Sequence, residues 1–188
     1  MDILKQIDEF VAYSADAKTL NEQIEACKQS EAYSLVEGDL SYNRGDYGLE
    51  RQYNESVNYN RQRVRELESQ LENVNKSLIE ARNGLKRMTE KLSYNDIHYA
   101  IQSVKVRVEQ LTSHIDRLKD RLKEAFTKGD KAYQMGDYKA EREYNQEYTR
   151  ILSEIKNLEP VIASYNDAIS YLSCREMTIN ESEQGLGK

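Results

Sequence analysis

The run Gly38-Asp-Leu-Ser-Tyr-Asn-Arg-Gly-Asp-Tyr-Gly-Leu-Glu-Arg-Gln-Tyr-Asn54 returns 91 residues later as Gly129-Asp-Lys-Ala-Tyr-Gln-Met-Gly-Asp-Tyr-Lys-Ala-Glu-Arg-Glu-Tyr-Asn145. Ten of the seventeen positions are identical, which marks a tandem duplication. If Gly45-Asp46 is a turn between antiparallel helices, residues that face each other have numbers adding to about 91. The apolar positions obey this: Ile3 meets Met88, Phe10 meets Ala81, Leu20 meets Leu71, Ile24 meets Leu67 and Cys27 meets Val64. Around Gly136-Asp137 the numbers add to 273, pairing Ile101 with Leu172, Val104 with Ile169, Val108 with Tyr165, Leu118 with Ile155 and Leu122 with Ile151.

The turn residues suit that reading. Glycine takes the left-handed conformation that ends a helix without a Cβ penalty. The aspartate that follows accepts hydrogen bonds from the free amides of the next helix and complements its positive end. Gly38 and Gly129 lie two turns earlier and should face Tyr53 and Tyr144, the missing side chain making room for a ring.

Outward from the turns, the three- and four-residue apolar spacing predicts four long helices. The first runs from Asp2 to Arg44, with a seam that weakens after Cys27. The second starts at Asp46 and passes Asn83-Gly84 to a break at Ser93, where Ser93-Tyr-Asn-Asp96 reads as a capping box. The third carries Ile97, Ile101, Val104, Val108, Leu111, Ile115, Leu118 and Leu122. The fourth starts at Asp137 and contains Pro160, where a kink is expected. The predicted fold is all-α: two tandem long antiparallel helical hairpins forming a four-helix bundle or antiparallel coiled coil. The repeats are residues 1–92 and 93–176, with both tips at one end, and the apolar-poor stretch 177–188 is expected to be a disordered tail.

Composition narrows the function. The chain has 188 residues, 38% hydrophobic and 32% charged, one proline and no tryptophan, which fits long helices with narrow seams. A net charge of −6 disfavours direct binding to nucleic-acid phosphates. No apolar run approaches the ~20 residues that span a bilayer, and the acidic N-terminus does not read as a signal peptide. Cys27 and Cys174 lack metal-ligand spacing and read as free thiols of a cytoplasmic protein.

Catalytic groupings are not evident. His98 and His114 lack the glutamate three residues upstream that a di-metal bundle uses, and neither cysteine has a histidine beside it in sequence. No metal, cofactor or enzymatic activity is expected. The unusual feature is 14 tyrosines against 2 phenylalanines. Nine of them, Tyr33, Tyr42, Tyr47, Tyr53, Tyr59, Tyr133, Tyr138, Tyr144 and Tyr148, gather near the turns. Tyr42, Tyr53, Tyr133 and Tyr144 are expected to pack within the hairpins, whereas Tyr47 and Tyr138 are harder to bury there.

The pattern Gly-Asp-x-x-Tyr-x-x-Gly-Asp-Tyr, most clearly from Ala125 to Tyr148, resembles a tetratricopeptide hairpin over about 25 residues in each copy. Ala140 falls one position early for that family, Leu49 replaces it in the first copy, and the helices far exceed the family's short repeat. The resemblance is one of hairpin chemistry and carries no peptide-binding residues over.

The expected function is a non-enzymatic helical scaffold or adaptor that binds another protein, a second copy of the chain among the candidates, at its tyrosine-rich tips. The candidate residues are Tyr42, Asp46, Tyr47, Glu50 and Arg51 in the first copy, and Tyr133, Asp137, Tyr138, Glu141 and Arg142 in the second. Rigid amphipathic rings suit such a surface. The competing expectation is an acidic inhibitor, from a mobile element, that fills the basic groove of a nucleic-acid-binding enzyme. Glu31, Glu37, Asp39, Asp46, Glu50 and Glu55 near one tip motivate it.

Overall fold

A computed structural model describes residues 2–185. It consists of four helices: α1 Ile3–Asn43, α2 Tyr47–Thr89, α3 Tyr94–Gln134 and α4 Tyr138–Gly185. Among the described residues there is no strand. α1 and α2 form one antiparallel hairpin, and α3 and α4 form the other.

The facing rule holds where the structure tests it. A Cβ built on Gly38 would stand 3.4 Å from the Tyr53 Cβ, and one on Gly129 would stand 3.5 Å from the Tyr144 Cβ. Ile24 and Leu67 are both buried, and Ile115, Leu118, Ile151 and Ile155 form one cluster that Leu122, Leu158 and Ile162 flank. The capping box at the start of α3 is formed. The Asp96 amide donates to Ser93 Oγ at 3.3 Å, and the Ser93 amide donates to Asp96 Oδ2 at 3.2 Å. These bonds hold the Asp96 carboxyl below the usual aspartate range.

Packing divides the chain into two compact units, residues 16–80 and the remainder. The boundary therefore cuts through the first repeat instead of falling between 92 and 93. The reason is a core shared by all four helices: Ile7 and Val11 of α1 and Leu85 of α2 cluster with Ile97, Ala100, Ile101, Val104, Ala168 and Leu172. α1 is buried there on a second face as well as its seam. Ser14 and Ser164 are buried small residues that meet at 3.0 Å, allowing close approach of α1 and α4. Beside them, Asp8 accepts hydrogen bonds from Arg107 and, at 2.9 Å, from the Tyr165 hydroxyl. Burial pushes the Tyr165 phenol up, while the bond to Asp8 raises the Arg107 guanidinium further. Tyr165 thus carries a polar contact that pairing with Val108 alone does not reveal.

Two expectations need correction. The seam of α1 does not fade after Cys27 but changes chemistry, continuing as the buried Ser34, Gly38 and Ser41 with the exposed Ser30 at its edge. Ser34 Oγ meets Ser56 Oγ at 3.0 Å, and Asn60 Nδ2 donates to Ser30 Oγ at 3.1 Å. As expected, α2 continues through Gly84, on which the Gln6 amide packs: a Cβ there would come within 3.0 Å of Gln6 Nε2. The stretch 177–185 is helical, where a disordered tail was expected, because Ile179 packs against the shared core and extends α4. Residues 186–188 of that expected tail lie outside the described residues. α4 runs unbroken through Pro160, which is buried.

Candidate functional site

Each tip is built by its backbone. Gly45 and Gly136 have φ of 76° and 73°, the left-handed region that glycine occupies without steric cost. The Gly45 amide donates to the Tyr42 carbonyl at 2.9 Å, and the Asp46 amide donates to the Ser41 carbonyl at 2.9 Å. At the second tip Gly136 donates to Tyr133 at 3.0 Å and Asp137 donates to Ala132 at 3.0 Å. This is the paired pattern that satisfies the last carbonyls of a helix ending in left-handed glycine. The aspartate then serves the next helix. Asp46 Oδ1 accepts from the Leu49 amide at 3.1 Å, and Asp137 Oδ1 accepts from the Ala140 amide at 3.1 Å.

Those bonds fix where two rings go. Tyr42 and Tyr47 pack edge to face with centroids 6.0 Å apart, and Tyr133 and Tyr138 repeat the arrangement at 6.4 Å. All four side chains stay between 58% and 66% exposed. Tyr42 and Tyr133, expected to pack within the hairpins, therefore do not. Each leans on the ring after the turn, because the last turn of a hairpin has no partner layer beyond the Gly-Asp link. Tyr53 and Tyr144 are half-buried, as expected. Burial raises the Tyr53 phenol, helped by Tyr33, whose ring lies 6.4 Å away, and by Glu37. Lys128 stands 6.0 Å from the Tyr144 ring centroid and bonds Glu124 at 2.7 Å, which raises the lysine and lowers the glutamate.

The charged candidates sit one turn into the second helix of each hairpin. Arg51 pairs with Glu55 at 3.2 Å, and Glu50 accepts from Asn54 at 3.4 Å. Glu141 likewise accepts from Asn145 at 3.5 Å. Tyr138, Glu141, Arg142 and Asn145 line one open groove along α4. Glu31, one of the acids near the first tip, pairs with Arg61 at 2.7 Å. The edge-to-face pairs escaped sequence reading, although tyrosines five residues apart across both Gly-Asp turns are a usable signal.

Among the described residues no group of three His, Cys, Asp or Glu side chains converges to hold a metal ion, and no helix is long and apolar enough to cross a membrane. His98 and His114 instead contact Glu176 at 2.7 Å and Glu154 at 3.2 Å. Comparison with protein-family models, curated proteins and solved structures found no match for this chain.

Proposed function

We propose that the chain is a non-enzymatic helical adaptor that binds another protein through its tyrosine-bearing hairpin tips. One observation carries this reading: the same exposed edge-to-face tyrosine pair stands on the same turn in both copies. The turns are closed by backbone and aspartate hydrogen bonds, so the rings are not needed to close them. A pre-ordered aromatic ring offers contact area at little further entropic cost, the quality that makes tyrosine common at binding hot spots. Cytoplasmic action accords with the two free thiols, and the acidic balance disfavours direct contact with nucleic acid.

The test is to retrieve a partner from the native host with the full chain, then titrate it against Tyr47→Ala, Tyr138→Ala and the double variant. Loss of a hot-spot tyrosine costs about 2 kcal/mol, roughly thirtyfold in affinity, with helicity and melting temperature near wild type. If the rings only staple their turns, melting temperature falls and affinity per folded molecule does not. A groove-filling acidic inhibitor would instead bind with steep salt dependence. Pairing of Glu31 with Arg61 and of Glu55 with Arg51 weakens the motive for that reading.

A further inference from the structure

The two copies differ in a way their shared fold does not require. In the first hairpin the buried positions Ser34, Ser41 and Asn60 are polar, whereas their counterparts in the second are the buried Ala125, Ala132 and Ile151. At three outer positions the order reverses. Tyr33, Val36 and Leu40 are exposed, Tyr33 by 61% and Val36 by 58%, and their counterparts are Glu124, Thr127 and Lys131. Spacings of three and four place Tyr33, Val36 and Leu40 on one outer face of α1. The second copy forms the same turn with polar residues there, so the turn does not require Val36 and Leu40, whereas Tyr33 also packs edge to face on Tyr53 of α2.

The charge beside this stripe selects its occupant. Glu37 and Asp39 fall on its two sides, about 40° around the helix from Tyr33 and about 60° from Val36 respectively. α1 has no basic residue between Lys28 and Arg44. A second copy laid on this face would set Glu37 and Asp39 against their own equivalents, and like charges at an interface are penalised. A helix with an apolar ridge bordered by Lys or Arg is complementary in both respects.

We propose that the outer face of α1 at Tyr33, Val36 and Leu40 docks a basic amphipathic helix of another protein. This surface is separate from the tips, so the two readings stand or fall independently. The short stripe suits a weak, regulatable contact, with dissociation constants in roughly the micromolar range.

The experiment titrates the full chain with three synthetic helical peptides, read by fluorescence anisotropy. One carries leucines spaced three and four apart among lysines; one has the same composition scrambled; one has glutamate in place of lysine. The first should bind at least tenfold more tightly than the others. Val36→Thr with Leu40→Gln should weaken it at least tenfold, and Glu37→Gln with Asp39→Asn should flatten its salt dependence. Tyr47→Ala with Tyr138→Ala should leave it unchanged. Circular dichroism guards against misfolding, and Val36→Thr with Leu40→Lys, the residues the second copy already carries, is the fallback variant. Equal binding of ordered and scrambled peptides, or insensitivity to the Val36 and Leu40 changes, overturns the proposal. So does a wild-type dimer in sedimentation that the same changes dissociate, which would assign the face to a second copy.

Discussion

Glycine appears at two kinds of position in these hairpins, and the same substitution should have opposite signs there. At Gly136 a Cβ meets nothing within 4 Å, but φ is 73°, so Gly136→Ala is penalised by conformation alone, by about 1–2 kcal/mol. At Gly129 the backbone is helical and a Cβ would lie 3.5 Å from Tyr144 Cβ and Asn145 Oδ1, an ordinary contact distance. Gly129→Ala should therefore stabilise by up to about 1 kcal/mol through helix propensity, while Gly129→Leu should overpack and destabilise by about 1–3 kcal/mol. Urea unfolding of the three variants checks this, and a destabilising Gly129→Ala would show that the ring needs the bare backbone. Asp96 supplies a pH prediction. Its carboxyl is held below the ordinary value of 3.8 by its bonds to Ser93. A folded-state pKa lowered in this way stabilises above the unfolded value, and the contribution disappears as pH falls through the folded one. Acid titration of Asp96→Asn by thermal melting should show a smaller loss of stability below that range than wild type. An unchanged acid profile would mean the box contributes nothing. Gly45, Gly136, Ser93 and Asp96 were legible because their roles are local. The pairing of Tyr42 with Tyr47 was not, since it depends on how far the chain end of a hairpin leaves a ring uncovered.

At the scale of the element, the two hairpins share a turn but not an interior. The seam of α3 and α4 is aliphatic around Ile115, Leu118, Ile151 and Ile155, whereas the outer part of α1 and α2 closes over Ser34, Ser41, Ser56 and Asn60. A net protein hydrogen bond contributes about 0.5–1.5 kcal/mol, less than burying an Ile or Leu, which contributes about 1.5–3 kcal/mol. Amides of α1 over residues 30–41 should therefore exchange with deuterium faster than those of α3 over 121–132. Ser34→Ala, Ser41→Ala and Asn60→Ile, which install the second copy's residues, should slow that exchange about tenfold, or roughly 1.4 kcal/mol. Equal protection of the two segments in wild type would contradict this ranking. Apolar periodicity revealed the second hairpin almost completely and the first only as far as Cys27. Beyond it the stripe that periodicity detects lies on the outer face, at Tyr33, Val36 and Leu40, while the packed face is written in serine.

For the whole molecule, the sequence conveyed two equal repeats, and the packing draws a different boundary. The start of α1 and the end of α2 belong with α3 and α4, because Ile7, Val11 and Leu85 share one core with Ile97 and Leu172. Ser14 and Asp8 lie off the hairpin seam, so a rule that pairs residues within one hairpin could not find their partners Ser164, Arg107 and Tyr165. Tyr165→Phe removes the hydroxyl donated to Asp8 and should cost about 1 kcal/mol in thermal unfolding, with no change in helix content. A neutral Tyr165→Phe would reduce that contact to a surface one. The central claim is that one chain folds into two antiparallel hairpins turning at Gly45-Asp46 and Gly136-Asp137, since both proposed surfaces depend on those turns. The most direct test is spin-label distance measurement with Cys27 and Cys174 changed to serine. One label pair goes at Asn21 and Gln70, the other at Asp116 and Asn157, each diluted with unlabelled chain to isolate distances within one molecule. Both pairs should read about 10–20 Å, one interhelical spacing plus the labels. A reading near the roughly 70 Å that 49 residues of uninterrupted helix would span between Asn21 and Gln70, or roughly 60 Å for the second pair, would contradict the account.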